Sequence, residues 1–377
     1  MSKQIWTAES IFPGHPDKLA DAVADAIVAE AGRREKRALV GVEVAVHRNN
    51  VFITGRVACT GAEEIDFNRL VRDVYASAGY NETWYPSADQ VNVAHDLCLG
   101  PLIDGESDYR ALSDDQSIVT GYAINSAATD FLPIEHYACR HLCRALEKLP
   151  AEHPELLLGP DGKVIIHLEE TDQTARITRV SVSLQQQIEG NPIELHRTIG
   201  EAVEEYCVAL ASACPEFVFD AKPELEVNGA GNFAVGGPEG DNGLSGKKLV
   251  VDAYGPRVPI GGGALSGKDF FKVDRAGAIA ARRLAKAVVQ SGQAQQCTVT
   301  LSFHPGADKP RIVSLKNERG ELLPAGCWEQ LFDFRLEAIG ERYTGTADLI
   351  EVARHGHFTD PDLPWEQLSF DAARRAG

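Results

Sequence analysis

The sequence predicts an α+β protein of three similar lobes, each a small sheet with helices on one face. The first observation is that one unit, a helix followed by a two-stranded hairpin and a second helix, occurs three times along the 377 residues. The second is that apolar residues in the predicted helices recur every three or four positions, so one helix face is buried against a sheet. Length and a hydrophobic content of 44% leave ample core for two or three domains.

The first unit begins at the pentapeptide GHPDK, residues 14–18, where Pro16 suits the first turn of a helix. Strands are predicted at 39–46 and 51–59, because β-branched residues alternate on both sides of a His-Arg-Asn-Asn turn. A helix is predicted at 63–78. The next stretch, 80–109, is rich in turn-forming residues and is predicted to be loop, with a mobile segment near 100–108.

The second and third units repeat this order. The second comprises a helix at 133–149, strands at 163–168 and 175–185 joined at 170–173, and a helix from the Asn191 cap to 211. The third comprises a helix at 275–290, strands at 297–303 and 311–316, and a helix at 328–339.

Composition narrows the class of partner and the compartment. A net charge of −18 argues against nucleic acid or an anionic membrane as a partner. No run approaches the roughly 18 apolar residues of a membrane span, and the N-terminus has no apolar signal core. Eight cysteines without C-x-x-C pairs predict reduced, mostly buried thiols in a cytoplasmic protein. Cys139 and Cys143, one helical turn apart, are expected in the core.

Residues 236–275 form a glycine-rich, cationic stretch in this acidic chain, with ten glycines in forty residues. Glycines let a backbone approach a ligand and turn its N–H groups inward, and lysines hold a polyanion as point charges. The six cations are Lys247, Lys248, Arg257, Lys268, Lys272 and Arg275. The interleaved Asp241, Asp252, Asp269 and Asp274 suit divalent cations on phosphate oxygens. We predict a polyphosphate clamp; the alternative is a surface loop with solvated lysines.

Two local motifs refine this prediction. His15 lies at a helix N-terminus, which favours anions, so we interpret it as functional. Asp17 is a candidate Mg²⁺ ligand or a residue that complements the helix dipole. Residues 262–268 match the G-x-x-x-x-G-K spacing of a P-loop, but Asp269 stands where Ser or Thr belongs and the preceding Val-Pro-Ile is a poor strand. A true P-loop ATPase is therefore not predicted.

Four motifs together resemble the S-adenosylmethionine synthetase (methionine adenosyltransferase) family. They are GHPDK at 14–18, DNGLSGKK at 241–248, GGGALSGKD at 261–269 and KVDR at 272–275. Their order holds through GHF at 356–358 and PWE at 364–366. The resemblance implies pseudo-threefold lobes with interleaved segments. The implied lobes are N-terminal, 1–13 and 126–229; central, 14–105 and 230–274; and C-terminal, 106–125 and 275–377.

The resemblance also implies the reaction. The 5′-adenosyl group of ATP passes to the sulfur of methionine, giving S-adenosylmethionine, and the released tripolyphosphate is cleaved to pyrophosphate and phosphate. A thioether has no proton to lose, so orientation and charge stabilisation lower the barrier rather than a strong base. The implied cofactors are Mg²⁺ and K⁺. The implied assembly is a homodimer with shared active sites, and pairing of dimers into a homotetramer stays open.

Roles are implied residue by residue. The implied catalytic residues are His15, Lys163, Lys247, Lys248 and Lys268. These also bind ATP, together with Asp115, Asp161, Asn232, Phe233, Asp241 and Ala264. Methionine would contact Asp241 and Lys272; Mg²⁺ would bind Asp17 and Asp274, and K⁺ would bind Glu43.

The departures from the family pattern concentrate on the amino-acid side. Arg56 stands where the family has a carboxylate for the methionine ammonium, and it is expected to repel an ammonium and attract a carboxylate. The family's GAGDQG segment has lost three glycines at 113–117, and no glutamine occurs between Cys98 and Arg110. Lys247 and Asn232 replace arginines. Two alternatives therefore stay open: the same ATP chemistry on another thioether or small nucleophile, or a non-catalytic nucleotide-binding regulatory homologue.

Overall fold

Three separate sheets organise the chain, which is described here by a computed structural model covering residues 3–171 and 174–368. The N-terminal sheet has the order β1 (Gln4–Ile11), β6 (Leu158–Glu170), β7 (Ala175–Gln186), β8 (Glu224–Val227). The central sheet has the order β4 (Asn92–Gly100), β3 (Asn50–Ala58), β2 (Leu39–His47), β9 (Gly243–Leu244). The C-terminal sheet has the order β11 (Arg311–Lys316), β10 (Gln296–Phe303), β5 (Ser117–Ile124).

Helices cover one face of each sheet, which confirms the predicted fold class. The longer ones are α1 (Pro16–Arg34), α2 (Phe67–Ser77), α3 (Ile134–Leu146), α5 (Pro192–Ala213), α8 (Val273–Gln290), α10 (Leu336–Tyr343) and α11 (Leu349–His355). Single turns occur at α4 (Leu149–Glu152), α6 (Gly237–Gly240), α7 (Leu249–Asp252) and α9 (Trp328–Leu331). α1 is buried along most of its length because it lies between the central sheet and α11. α3 packs on the N-terminal sheet and α8 on the C-terminal sheet.

Every sheet takes strands from distant parts of the chain. β1 pairs antiparallel with β6, so that Ile11 lies opposite Lys163. β5 pairs with β10, and the two-residue strand β9 pairs with β2. We propose the lobe boundaries given above because the strands of each sheet fall within them. Residues 1–2, 172–173 and 369–377 of those lobes lie outside the described residues.

Two sequence predictions of secondary structure are wrong. The predicted loop at 80–109 contains β4, which runs parallel to β3 along nine residues. β4 is an edge strand with mostly exposed side chains, so it lacks the apolar content that marks a buried strand. The helix predicted at 328–339 is two short helices, because the chain is extended at Phe332 (φ −114°, ψ 134°). The predicted turn at 170–173 falls partly on residues 172–173, outside the described part.

The remaining global predictions concern cysteines and membranes. All eight cysteines are free thiols and six are buried. Cys139 and Cys143 lie in the core of the N-terminal lobe, as predicted. None of the helices in residues 3–171 and 174–368 combines the length and apolar character that crossing a bilayer takes.

Candidate active site

A cavity of about 370 Å³ lies where the start of α1, the start of β6 and the glycine-rich chain after β8 converge. Glycines supply part of its wall, including Gly231, Gly236 and Gly237. The residues predicted to bind ATP that line it are His15, Asp161, Lys163, Asn232, Phe233 and Asp241. Residues up to 226 positions apart in sequence thus meet in one cavity.

His15 caps helix α1 and faces this cavity. Its Nδ1 accepts a hydrogen bond from the backbone N–H of Asp17 at 3.2 Å. The pKa of His15 is lowered to about 4, mainly by burial and also by the ammonium groups of Lys248 and Lys163, while the carboxylate of Asp17 opposes the shift. The imidazole is therefore neutral at physiological pH. With Nδ1 accepting, Nε2 carries the proton and can donate it to an anionic oxygen.

Asp161 and Lys163 bring opposite charges to the same wall. Asp161 is buried and accepts the backbone N–H of Gly237 at 2.7 Å. Burial raises the pKa of Asp161 to about 6, although its hydrogen bonds from Gly237 and Gly162 oppose the rise. Lys163 is partly exposed, and its Nζ lies 3.4 Å from Glu9 Oε2 on the neighbouring strand β1. The lysine can reach an anion in the cavity without leaving a buried partner unpaired.

Helix α1 fastens two glycine-rich loops through three aspartates, one turn apart. Asp17 accepts the N–H of Leu244 at 3.1 Å, and Asp21 accepts that of Gly246 at 2.7 Å. Asp25 accepts the N–H of Gly267 at 3.0 Å. We call residues 243–248 the first loop and residues 261–268 the second loop. Both loops are held through their backbone N–H groups, so these hydrogen bonds do not involve the lysine side chains.

The first loop carries Lys247 and Lys248 beside Asp17. Lys248 Nζ lies 3.0 Å from Asp17 Oδ2, and Lys247 Nζ lies 3.5 Å from Oδ1. These contacts place both ammonium groups next to the helix start that His15 caps. His15 and Lys163 of the predicted cluster therefore line the cavity, and Lys247 and Lys248 lie beside the helix start that carries His15.

The other predicted site residues lie on or beside the central sheet. Lys268 Nζ contacts Glu43 Oε1 at 2.6 Å, and Ser245 Oγ contacts Oε2 of the same glutamate at 3.2 Å. Lys272 pairs with Asp114, an acceptor that sequence reasoning missed. We call Glu43, Arg56, Lys268, Lys272 and Asp274 the outer group. The first loop contacts both the outer group and the helix start next to His15, because Ser245 touches Glu43 and Lys248 touches Asp17.

Three further predicted residues are placed as follows. Asp274 accepts hydrogen bonds from Ser117 Oγ at 2.9 Å and from the backbone N–H of Gly263 at 3.1 Å. Ala264 lies against the first loop at Gly246, where an added Cβ would come within 2.5 Å of it. The side chain of Asp115 is exposed and accepts only the N–H of Gln116 among the described residues.

Part of the predicted clamp is structural. Arg257 forms a two-pronged ion pair with Glu135, and buried Arg275 pairs with Asp25. Asp252 pairs with Lys18 in the interior. These partners are 122 or more positions away in sequence, so the local pattern of charges did not reveal them.

The P-loop interpretation is excluded by the second loop's surroundings. Asp269 accepts the backbone N–H of Val40 at 2.7 Å and pairs with Arg110 at 2.9 Å. Within the described residues, no strand leads into 262–268, and α8 begins only at Val273. A P-loop needs a strand before it and a helix directly after it.

Arg56 does not present a free positive charge. Its Nε and one Nη donate to the two carboxylate oxygens of Glu106, at 3.1 and 2.8 Å. The expectation of an unscreened cation that repels an ammonium therefore needs correction, because the pair is neutral. Sequence reasoning missed Glu106, since it lies 50 positions away in a stretch interpreted as mobile loop.

The carboxylates fit a magnesium ion that is also bound by phosphate. Asp17 Oδ2 is buried and forms an ion pair with Lys248 Nζ at 3.0 Å, but no other donor among the described residues hydrogen-bonds to it. Asp274 uses only Oδ1 in its hydrogen bonds within the described residues. No group of three or more His, Cys, Asp or Glu in that part of the chain could hold a metal by itself. Mg²⁺ commonly takes one or two carboxylates and completes its shell with phosphates and water.

Comparisons with known proteins agree along the whole chain. Profiles of the N-terminal, central and C-terminal domains of S-adenosylmethionine synthetase match residues 3–98, 111–233 and 235–367. Proteins named S-adenosylmethionine synthase from Synechococcus sp. (strain RCC307) and Mesoplasma florum are 33% and 31% identical. The alignments cover 100% of both chains in the first case, and 97% of this chain and 98% of the relative in the second. A solved structure described as an unusual S-adenosylmethionine synthetase from Campylobacter jejuni superposes with a TM-score of 0.84 and 28% identity over 99% of each chain.

Proposed function

Since this chain belongs to the S-adenosylmethionine synthetase family, we propose that the cavity at His15 binds ATP and that the chain is a methionine adenosyltransferase. The sulfur of methionine attacks C5′ of ATP, the bond from C5′ to the phosphate oxygen breaks, and tripolyphosphate leaves. Water then cleaves tripolyphosphate to pyrophosphate and phosphate. The observation that carries the proposal is a cavity of about 370 Å³ lined by His15 and Lys163, with the ammonium groups of Lys247 and Lys248 at the adjacent Asp17.

Each residue around the cavity has a task that its environment suits. Neutral His15 donates from Nε2 to the oxygen that leaves C5′, and it does so without needing to be charged. Lys163, Lys247 and Lys248 stabilise the charge that develops on the tripolyphosphate. Phe233 stacks on adenine beside Asn232, and Asp161 contacts the nucleoside. Asp241 lies between nucleotide and amino acid.

The outer group completes the site. Lys268 grips the phosphate chain with backbone support from Ala264 and with Asp115 nearby, and Lys272 faces the methionine carboxylate. Asp17 and Asp274 hold Mg²⁺ on the phosphates, and the ion neutralises charge on the leaving group. Glu43 is the K⁺ ligand. Because Lys268 pairs with Glu43 in this structure, we propose that ATP draws the lysine away and frees Glu43 for the cation.

We further propose that two copies share their active sites. Phe52, Leu244, Ile118 and Val313 are exposed apolar residues on strands of the central and C-terminal sheets. Their neighbours along the strands are buried or partly buried, so these side chains point to the opposite face of each sheet. Pairing these faces would cover them and bring the outer group of one subunit to the cavity of the other. We also propose that two such dimers can pair into a homotetramer and that the protein is cytoplasmic.

The alternative of another nucleophile loses its main motive, because it depended on Arg56 as an unpaired cation. The test is to incubate the protein with ATP, Mg²⁺, K⁺ and an equimolar mixture of methionine and other thioethers, and to identify the products by mass spectrometry. We expect S-adenosylmethionine with pyrophosphate and phosphate. A different sulfonium as the main product would refute methionine as substrate, and phosphate release without any sulfonium would refute adenosyl transfer.

A further inference from the structure

The face of the central sheet that carries no helix presents both polar and apolar side chains from neighbouring strands. Side chains alternate along β3, where Val51 and Ile53 are buried and Phe52 and Thr54 are exposed. Arg56 follows on the exposed side, between Gly41 of β2 and Cys98 of β4 in the register of the sheet. Since Gly41 has no side chain, the space above it is open to residues from the loops.

One lysine of the outer group lies over this open position, because Lys272 Cε would be 3.8 Å from a Cβ at Gly41. Lys268 forms an isolated antiparallel bridge with Gly41, so its backbone lies beside β2 in the plane of the sheet. Arg56, which pairs with Gly41 in the sheet, is therefore the direct neighbour of the position over which Lys272 lies. A ligand whose carboxylate is bound by Lys272 would therefore have the atoms next to that carboxylate close to Arg56.

Arg56 is committed to holding the chain that follows β4. Besides the two bonds to Glu106, it donates to the carbonyl oxygens of Cys98 at 3.2 Å and Pro101 at 2.7 Å. A guanidinium has five N–H donors, and these contacts use four of them. The Arg56 side chain is only about one-fifth exposed, at 22%. It has little capacity left to bind a substrate carboxylate.

Glu106, unlike Arg56, can still form a hydrogen bond to a substrate. Its Oε2 also accepts the backbone N–H of Ile103 at 2.9 Å, while Oε1, within residues 3–171 and 174–368, accepts only from Arg56. A carboxylate has about four lone-pair sites, so one acceptor site remains on Oε1. The pKa of Glu106 is lowered, first by its hydrogen bonds from Arg56, so the group stays ionised. Its side chain is 18% exposed, which leaves it accessible.

We propose that Glu106 is the residue that binds the ammonium group of methionine, and that Arg56 is a positioning residue that fixes Glu106 for this contact. This inference rests on the proposed function. An α-amino acid held at its carboxylate by Lys272 presents its ammonium two bonds away, where a fixed anion with a free lone pair is the matching partner. Glu106 is thus the residue that makes the enzyme specific for a thioether with an α-ammonium group.

The test compares methionine with its 2-hydroxy analogue, which carries a hydroxyl in place of the ammonium. For E106Q we expect kcat/KM for methionine to fall about 10- to 100-fold, through KM, and kcat/KM for the analogue to change less than about threefold. The KM for ATP should be unchanged. Asp104→Asn is the matched control, because Asp104 is exposed, two residues away, and has no partner among the described residues. If Glu106 were merely structural, E106Q would lower kcat/KM equally for methionine and for the analogue, and the ratio of the two kcat/KM values would not change.

Arg56→Glu gives an independent outcome. It removes four hydrogen bonds and places a second carboxylate opposite Glu106, so methionine use should fall. Improved or unchanged methionine use by Arg56→Glu would overturn the inference, as would an E106Q enzyme that still discriminates like the wild type. A wild-type enzyme that makes no S-adenosylmethionine would instead overturn the proposed function, and this inference with it.

Discussion

Gly14 precedes His15 in the chain and packs against the start of β6. Replacing Gly14 by alanine therefore tests whether the proposed catalysis depends on the distance between His15 and β6. A Cβ at Gly14 would lie 2.3 Å from Pro160 O and 2.6 Å from Pro160 C. A carbon and a carbonyl oxygen need about 3.3 Å, so the two segments must separate by about 1 Å. No φ strain is involved, because Gly14 is not among the glycines with positive φ.

The displacement would move His15 relative to Asp161 and Lys163, which follow Pro160 on the other wall of the cavity. A misplacement of about 1 Å in an active site costs on the order of 100-fold in rate, and we expect Gly14→Ala to lower kcat by that factor. Overpacking costs about 1–3 kcal/mol, which in a chain of this size lowers the melting temperature by about 1–4 °C.

Formation of S-adenosylmethionine, followed by chromatography under saturating substrates, measures kcat, and scanning calorimetry measures the melting temperature. Gly326→Ala is the matched control, since nothing lies within 4 Å of a Cβ there and its φ is not positive. A Gly14→Ala enzyme with wild-type kcat would show that the register between α1 and β6 does not set the rate, and the reasoning would fail.

Three further predictions follow from individual contacts. Lys248→Met removes an ammonium beside His15 and should lower kcat about 100- to 1,000-fold in the same assay, whereas exposed Lys309→Met should not. Asp25→Ala leaves buried Arg275 unpaired and should cost about 3–5 kcal/mol in calorimetry; D25L/R275M, which removes both charges, should cost less. Burial raises the pKa of Asp161 to about 6, so between about pH 4 and pH 6 the folded state holds a proton that the unfolded chain has lost. The free energy of unfolding therefore falls as pH rises through this range. Asp161→Asn lacks this loss, so its stability relative to wild type should rise by about 1–2 kcal/mol between pH 5 and pH 8, and a constant difference would contradict this pKa.

Local signals in the sequence predicted the parts of the fold that are local. The start of α1 could be found because Pro16 and the His15 cap are adjacent to it, and the β2–β3 hairpin because its turn is four residues. The pairing of β1 with β6 joins residues more than 150 positions apart, and no short-range pattern encodes it. The same limit applies to charges. Arg275 looked like a phosphate ligand because its partner Asp25 is 250 positions away.

The site could be predicted where several motifs had to agree. Four motifs, none specific alone, pointed to the family, and the resemblance then implied eleven ATP-binding residues. The structure brings six of these eleven to the walls of one cavity. Arg56 shows the opposite case. Its departure from the family pattern was visible in the sequence, but its meaning depends on Glu106, which only the folded chain brings to it.

The three aspartates of α1 have a consequence for how the two loops are spaced. Asp17, Asp21 and Asp25 are four residues apart, so an α-helix sets their carboxylates about 6 Å from one another along its axis. The helix therefore sets the spacing between the first loop and the second loop, whose lysines we propose to bind the phosphates. One residue inserted between Asp21 and Asp25 would rotate the Asp25 position by about 100° around the helix axis and move the second loop away from the first.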